Sequence, residues 1–331
     1  MPANLTPQYH KAEEAFRRAQ SAEDRLHCLE EMLRTIPKHK GTNKLQADLK
    51  HKMKEVREEI ASEKRTPRGG AVSRRIPRQG AGTVIVLGGP NSGKSRLVKE
   101  LTGAHVEVAD YPFTTREPAP GMMRWEDVNV QLIDTPPITE QHFESYLSGM
   151  VRSADGVLLC FNGSSDDAPE ETLAVSTQLT DRKTILASET GFAEDDYSIV
   201  KVKTTLIITH GGDQDAPTRL EFWNEMAPSN FAVQFVEFSE PASVESLRTC
   251  VFKSLDVMRI YTKAPGRKRD ETPPFTLANG ATVEDLAHKV HQELAAKLKF
   301  AKVWHIGESE PHTAGPHHVL LESDLVELHT A

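Results

Sequence analysis

The sequence predicts an α/β protein whose mostly parallel sheet carries a glycine-rich loop. Three observations support this: an apolar run that enters a glycine-rich turn at 84–95, apolar runs alternating with helical patterns over 81–258, and flanking segments of different character. Alternating strands and helices favour a parallel sheet covered on both faces. We therefore expect a helical hairpin arm at 1–64, a basic linker at 65–80, the α/β core at 81–258 and a small mixed α+β module at 259–331.

Composition narrows the class of protein. The chain has 331 residues, a formal net charge of −8 and only three cysteines, which lie far apart. No apolar run approaches the ~20 residues of a membrane span, and the N-terminus lacks a signal-peptide pattern. We expect a cytoplasmic protein with reduced thiols and no membrane partner. The negative charge argues against a surface that binds nucleic acid throughout, although local patches can still be basic. The oligomeric state is not predicted.

The predicted arm consists of two amphipathic helices. Thr6-Pro7 is a capped helix start, and Ser21–Asp24 can restart or reinforce the same helix. Thr42 is a plausible cap for the second helix. The apolar stripes are Leu26, Leu29, Leu33 and Ile36 on the first helix, and Leu45, Leu49, Met53, Val56 and Ile60 on the second. Each stripe either buries the other or forms a surface for a partner.

The linker is basic and contains no acidic residue. Its sequence from Lys64 to Gly80, "KRTPRGGAVSRRIPRQG", combines arginines with proline and glycine breakers. The arginines are Arg65, Arg68, Arg74, Arg75 and Arg78. Such a segment can contact nucleic-acid phosphates or can simply be a solvated tether.

Apolar runs place the elements of the core. Strands are predicted at 83–87, 128–133, 156–161, 205–209 and 233–238, and helices at 93–103, 140–152, 168–181, 216–227 and 243–258. In the C-terminal module we expect a strand, a hairpin turn at Asn279-Gly280, a second short strand and a helix capped by Thr282. Further strands are predicted at 303–306, 318–321 and 325–328.

A phosphate-binding loop is indicated at Gly88–Ser95, where "GGPNSGKS" fits the pattern G-x-x-x-x-G-K-[ST] between a strand and a helix. Backbone N–H groups of such a loop bind an anion. Lys94 would reach the β- and γ-phosphates, Ser95 would ligate Mg²⁺, and Asp134 would hold a Mg²⁺-bound water. The predicted nucleotide contacts here are Gly88, Pro90, Asn91, Ser92, Gly93, Lys94, Ser95 and Arg96.

Several segments together resemble one family. "GGPNSGKS", "ADYPFTTREPAPG" and "LIDTPP" are similar to the Obg-type GTPases, especially the developmentally regulated GTP-binding (Drg) branch. The segments "PFTLANGATVEDLA" and "HHVLLESDLVELH" resemble a TGS domain, which is a β-grasp module. The resemblance implies a P-loop GTPase core, GTP and GDP as ligands, Mg²⁺ as cofactor, and a slow GTP-hydrolysing switch that associates with ribosomes or other RNA.

The resemblance also implies roles for two further residues. Thr115 corresponds to the switch-one threonine, whose hydroxyl joins Mg²⁺ in the triphosphate state. Asn91 corresponds to the loop asparagine that binds K⁺ in potassium-stimulated members, and K⁺ would then stabilise charge on the transferring phosphoryl group. With Lys94 these residues form the predicted catalytic set. A plain turn residue is the alternative for Asn91.

The chain departs from the family pattern after Asp134. The usual Asp-x-x-Gly is replaced by Asp134-Thr-Pro-Pro137, and proline has no N–H to give to a γ-phosphate. Ile138 stands where many related GTPases carry a water-orienting glutamine, although the Obg type is often apolar there. A degenerate GTPase that binds nucleotide without appreciable turnover and acts as a scaffold is therefore the rival interpretation. An adenine-nucleotide phosphotransferase is a third.

The base-recognition motif is also altered. The strand "TLIIT" is followed by "HGGD", which we align with His210 at the asparagine position, Gly211 at the lysine position and Asp213 at the aspartate. Asp213 would accept the two guanine N–H donors. The alternative is an aspartate that only belongs to a glycine-rich turn. Ser239 resembles the last base-contacting loop of the family.

Five of the 14 histidines crowd the C-terminus: His305, His312, His317, His318 and His329. They lack the short ligand spacing of known metal motifs, so we expect surface or loop histidines rather than metal ligands.

Overall fold

The computed structural model describes residues 5–19, 22–37, 42–65, 76–103, 118–193, 196, 199–267 and 273–330. Within these ranges the N-terminal arm has three helices, α1 (Pro7–Arg18), α2 (Ala22–Thr35) and α3 (Asn43–Arg65), rather than the predicted two. The backbone is extended at Ala19, which separates α1 from α2. The apolar stripes of α2 and α3 pack against each other, as in the predicted hairpin. Helix α1 packs on the same core, where its Tyr9 is fully buried.

The core contains one mixed sheet. Its strands are β1 (Thr83–Gly88), β2 (Ala119–Trp125), β3 (Val128–Asp134), β4 (Gly156–Asn162), β5 (Thr184–Ala187), β6 (Gly191–Phe192), β7 (Val200–Thr209) and β8 (Ala232–Val236). The order is β2-β3-β1-β4-β7, with β5 and β8 both pairing with the long strand β7. All pairs are parallel except β2 with β3 and β6 with β7. The five predicted strands are present, whereas β2, β5 and β6 were not predicted.

Helices cover both faces of this sheet. They are α4 (Lys94–Thr102), α5 (Ser145–Ser153), α6 (Ala168–Thr180), α7 (Ala216–Met226) and α8 (Pro241–Ser254). Alternate residues of β1 enter opposite cores: Ile85 packs with α5, α6 and α7, and Val86 packs with α4 and α8. This burial on two sides explains the continuous apolar sequence of β1 and fixes the loop that follows it.

The C-terminal module is a second sheet with one helix across it. Its elements are β9 (Val257–Thr262), β10 (Phe275–Ala278), α9 (Val283–Val290), α10 (Gln292–Lys297), β11 (Leu298–Trp304), β12 (His312–Ala314) and β13 (Leu325–Thr330). The strand order is β10-β9-β13-β11-β12, with β9 parallel to β13 and the other pairs antiparallel. Leu286 of α9 is fully buried against this sheet.

Two local predictions in this module were wrong. The turn at Asn279-Gly280 leads into α9 rather than into a second hairpin strand. Strand β10 pairs instead with the preceding strand, β9, in antiparallel orientation. Residues 318–321 form a loop with one isolated bridge, between Thr282 and Val319, instead of a strand. The capped start of α9 is confirmed: Thr282 and Asp285 form a reciprocal capping box.

The C-terminal module is joined to the core through the turn between β2 and β3. Arg259 of β9 contacts the carboxylates of Glu126 and Asp127, the latter at 2.9 Å, and its guanidinium lies 4.7 Å from the Trp125 ring centre. Tyr261 donates a 2.6 Å hydrogen bond to Asp127. Charge pairing and aromatic stacking on one arginine fix this contact.

Among the described helices, none is both long enough and apolar enough to cross a membrane.

Candidate nucleotide-binding site

The phosphate-binding loop lies between β1 and α4 and is closed by its own contacts. Ser92 Oγ donates to the Gly89 carbonyl at 2.9 Å, and Leu97 N–H donates to the Gly93 carbonyl at 2.8 Å. Gly93 is left-handed, with φ 85°, and a Cβ there would lie 2.9 Å from Thr209. Glycine is therefore required both by conformation and by space. The loop places the N-terminus of α4 at the carboxyl edge of the sheet, where an anion is favoured.

Lys94 carries the positive charge of the loop. Its Nζ donates to the Gly89 carbonyl at 2.5 Å and to Ser92 Oγ at 3.2 Å, inside the curve of the loop. The side chain is buried, and burial lowers the pKa of Lys94 while the nearby charges of Asp134 and Glu171 oppose this shift. A buried ammonium among backbone dipoles is a strong partner for phosphate oxygens.

Ser95 and Asp134 bring a hydroxyl and a carboxylate together at the end of β3. Ser95 Oγ donates to Asp134 Oδ2 at 2.6 Å, and the Asp134 side chain is fully buried at the end of β3. A hydroxyl and a carboxylate at one point suit Mg²⁺, which takes hard oxygen ligands. Two of the three predicted Mg²⁺ contacts therefore lie together, whereas Thr115 lies outside the described residues.

The remaining predicted loop residues lie at its outer side. Asn91 is exposed and left-handed, with φ 51°, and its carbonyl accepts a 3.1 Å hydrogen bond from Asn162 at the end of β4. Pro90 precedes it and is partly exposed. Arg96 points the other way, with its guanidinium 5.1 Å from the Phe238 ring centre. Arg96 thus packs beneath the loop that carries Ser239.

The segment after Asp134 is buried against the phosphate loop. Thr135 Oγ1 donates to the Val86 carbonyl at 2.6 Å, and the Ile138 N–H donates to the Gly88 carbonyl at 3.2 Å. Pro137 and Ile138 are buried, and Ile138 joins the core under α5 and α6. Pro137, which has no N–H, is therefore followed directly by a residue whose side chain is fixed in the core.

At the base loop the phosphate loop is held by the last residue of β7. Thr209, not His210, holds the phosphate loop: its Oγ1 donates to the carbonyls of Ser92 at 3.1 Å and Phe161 at 3.2 Å. His210 is left-handed, with φ 51°, and its Nδ1 lies 3.1 Å from Asn162 Oδ1. The position three residues after Thr209 is Gly212, and Asp213 is the next residue.

Asp213 is engaged in the start of α7. Its Oδ1 accepts hydrogen bonds from the Asp215 N–H and from Arg219 Nη1, both at 2.9 Å. Arg219 also contacts Asp166 at 2.7 Å and the Gly163 carbonyl at 2.6 Å. The Asp215 N–H and then Arg219 lower the pKa of Asp213. Arg219 therefore ties α7 to the segment that follows β4, and Asp213 holds Arg219 in place.

Glu237 is the acid beside Gly212. A Cβ on Gly212 would lie 3.5 Å from Glu237 Oε2, so this carboxylate reaches the space that a side chain at Gly212 would fill. The N–H and hydroxyl of Ser239 both bond to Glu237 Oε1, at 3.3 and 3.0 Å, and lower the pKa of Glu237. The sequence analysis missed Glu237; its place two residues before Ser239 was the available signal.

Glu171 in the first turn of α6 was missed as well. A Cβ on Gly89 would lie 3.1 Å from Glu171 Oε2, so this carboxylate lies against the phosphate loop. Burial raises the pKa of Glu171, Asp167 raises it further, and Lys94 opposes both. The signal was its position after β4, since helix starts that follow parallel strands meet at one edge of the sheet.

Comparisons with known proteins agree with this geometry. Residues 83–190 match the family model described as "50S ribosome-binding GTPase", and residues 258–330 match the TGS domain. The chain is 25% identical to Developmentally-regulated G-protein 1 of Arabidopsis thaliana, over 90% of this chain and 88% of that protein. It is also 25% identical to an uncharacterized GTP-binding protein of Halobacterium salinarum, over 92% of this chain and 98% of the other.

Among solved structures, the YchF GTPase of Schizosaccharomyces pombe superposes with a TM-score of 0.52. The sequence identity is 12%, and the match covers 77% of this chain and 99% of that one. This likeness shows the fold alone.

Proposed function

We propose that this chain, a Drg-like member of the Obg family of GTPases with a C-terminal TGS domain, binds GTP and GDP with Mg²⁺ and hydrolyses GTP slowly as a cytoplasmic switch on ribosomes or other RNA. The observation that carries the proposal is the 2.6 Å contact of Ser95 with Asp134 beside the buried Lys94. A hydroxyl and a carboxylate beside a buried ammonium support a cation site next to an anion site at one sheet edge.

The reaction would be an in-line attack of water on the γ-phosphate. Lys94 and the loop N–H groups would bind the phosphates and stabilise the charge that develops on them. Ser95, Thr115 and, through water, Asp134 would hold Mg²⁺, which when bound neutralises phosphate charge. Among the residues that the structure describes at the loop, we assign none as a general base. Positioning and electrostatics therefore provide most of the catalysis, as is usual for phosphoryl transfer.

Potassium stimulation is part of the proposal and depends on Asn91. Its backbone is fixed by Asn162 while its side chain lies at the exposed rim of the loop. From there an amide oxygen can join a monovalent cation beside the phosphates. Phosphate release should rise when K⁺ replaces Na⁺, and Asn91→Ala should abolish the difference. Indifference to the cation in the parent protein would make Asn91 a turn residue only.

Guanine recognition is proposed to depend on Glu237 rather than on Asp213. Asp213 is held by Arg219 and the Asp215 N–H, whereas Glu237 Oε2 lies beside Gly212 with its other oxygen fixed by Ser239. A carboxylate so oriented can accept two N–H donors of guanine, which adenine does not present. Ser239 acts here by holding the acid.

A second candidate function is nucleotide binding without appreciable turnover. The buried Pro137 and Ile138 favour it, because the Ile138 N–H is bonded to Gly88 and Pro137 has none to give. Such a protein would act as a nucleotide-dependent scaffold for RNA or protein.

One experiment separates these functions. Affinities for GTP, GDP and ATP are measured on the purified chain, and phosphate release is then followed with Mg²⁺ in K⁺ or Na⁺. Slow GTP turnover above that of Lys94→Ala supports the first function. Tight GTP binding with turnover equal to that variant supports the scaffold. ATP bound as tightly as GTP would contradict both and would favour the adenine-nucleotide phosphotransferase.

RNA contact is proposed through the linker and the TGS domain. Arg78 is already bound to the core, through the Ser153 carbonyl at 2.6 Å and the Asp155 carboxylate, so it leaves the predicted set. Arg65, Arg68, Arg74 and Arg75 remain. Replacing these four by glutamine should weaken ribosome co-sedimentation and flatten its salt dependence, which for ~3 phosphate contacts has a log–log slope of about −2 to −3. Equal binding and slope in both proteins would make the linker a tether.

A further inference from the structure

Three histidines of the C-terminal module meet at one place. His305 follows β11, His312 begins β12, and His318 lies in the loop before β13. One ring nitrogen of each lies within 4.8 Å of those of the other two, and all three side chains are partly buried. The histidines are six or more positions apart in the chain, so their spacing does not match a short metal-binding motif. The expectation of surface or loop histidines did not anticipate this convergence.

The distance between two of these rings matches a shared metal ion. His312 Nε2 and His318 Nε2 are 3.3 Å apart, and the ring centroids of His305 and His312 are 4.8 Å apart. Two imidazoles bound to one tetrahedral Zn²⁺ at ~2.0–2.1 Å place their nitrogens about 3.3–3.4 Å apart. A direct hydrogen bond between two neutral rings has a similar length, so the third histidine and its support decide between the two arrangements.

That support is a buried carboxylate behind His305. Asp324 Oδ1 lies 2.6 Å from His305 Nδ1, and Asp324 Oδ2 accepts the Leu321 N–H at 2.8 Å. Asp324 is fully buried. The carboxylate holds the proton on Nδ1 and leaves the Nε2 lone pair for a ligand, as in carboxylate–histidine–zinc groups.

We propose that His305, His312 and His318 bind a Zn²⁺ ion, with a fourth position open to water or to a ligand from a partner. Three imidazole ligands with an open position are an established zinc arrangement. The site lies in the β-rich module, on different elements from those that form the phosphate loop. Zn²⁺ would clamp the end of β11, the start of β12 and the loop before β13 to one another.

The test uses the purified full chain, stripped with chelator and returned to buffer with GDP and excess Mg²⁺, so that the nucleotide site is saturated. Co²⁺ and then competing Zn²⁺ are titrated while the visible spectrum is recorded. We expect one Co²⁺ per chain with tetrahedral d–d absorption and no thiolate charge-transfer band, because no cysteine belongs to the cluster. Zn²⁺ should displace Co²⁺ and raise the melting temperature.

Variants separate this site from adventitious binding. His312→Ala and His318→Ala should each weaken Zn²⁺ binding at least tenfold, and Asp324→Asn, behind the ligands, by roughly 10–100-fold. His317→Ala is the matched control: its side chain is 89% exposed beside His318, and its affinity should equal the parent's. Circular dichroism verifies that the variants fold. The proposal is overturned if the parent binds no Co²⁺, if the spectrum shows sulfur ligands, or if folded His312→Ala and His318→Ala bind as the parent does.

Discussion

The nucleotide site has a phosphate half, residues 88–95 with Asp134, and a base half, residues 209–213 with 237–239. In the phosphate half the loop joins β1 to α4, and Ser95 lies against Asp134. In the base half Thr209, at the end of β7, contacts the phosphate loop. Asp213, the acid predicted to bind the base, is instead bonded to Arg219. Phosphate binding depends on backbone N–H groups and one lysine, so few side chains suffice. Base selection depends on one carboxylate, which can come from another loop.

The largest effect is expected from the phosphate half. Lys94→Ala should reduce affinity for both GTP and GDP about tenfold or more, because a charge-assisted contact contributes ~1.5–3 kcal/mol. Lys99→Ala, an exposed lysine of the same helix, is the control. Calorimetric titration of each nucleotide measures the change. Unchanged nucleotide affinity in the folded Lys94→Ala protein would show that the phosphate half does not bind the nucleotide.

The second prediction concerns the backbone of the base half. A Cβ at Gly211 would lie 2.7 Å from the backbone nitrogen of Val236, whereas one at Gly212 would meet Glu237 Oε2 at an ordinary 3.5 Å. Gly211→Ala should therefore lower the free energy of unfolding by about 1–3 kcal/mol, the usual cost of overpacking. Gly212→Ala should cost clearly less. Denaturant unfolding compares the two, and equal losses would mean that β8 yields to the added methyl group.

A third prediction decides which acid reads the base. Glu237→Gln should lower the ratio of GDP to ADP affinity about tenfold, since a hydrogen bond to a charged group contributes ~1.5 kcal/mol or more. Asp213→Asn should leave that ratio unchanged, as should Glu240→Gln in the exposed part of the same loop. If Asp213→Asn lowers the ratio and Glu237→Gln does not, the sequence alignment was correct after all.

The smallest effect is expected at the cation site. Ser95→Ala should reduce the gain in GTP affinity on adding Mg²⁺ by roughly threefold, because Asp134 still holds the ion and one neutral contact contributes ~0.5–1.5 kcal/mol. Ser95→Thr, which keeps the hydroxyl, should retain the parent's gain. Titration with and without Mg²⁺ measures it. A full gain in Ser95→Ala would take Ser95 out of the donor set.

The sequence sufficed where local pattern decides structure. The buried strands and the loop glycines could be predicted because buried strands require apolar residues and left-handed turns favour glycine. Strand β2 was missed because "APGMMRW" begins with proline and glycine, which an edge strand tolerates. No propensity separates Thr209 from His210 as the strand end; the hydrogen bond to Ser92 does. Glu237 and the histidine cluster depend on contacts between distant segments, which one sequence does not display.

The hairpin of β2 and β3 has a mechanical consequence. Asp134 pairs with Ala119 at one end, and Trp125 pairs with Val128 at the other, next to the acids that hold Arg259. Seven paired residues at ~3.4 Å each make a rod about 20 Å long. A slip of one residue would turn Val130 and Leu132 away from the core beneath α4 and α8, so the pairing register is strongly specified. The carboxylate beside Ser95 and the contact that holds the TGS domain therefore lie at opposite ends of one hairpin.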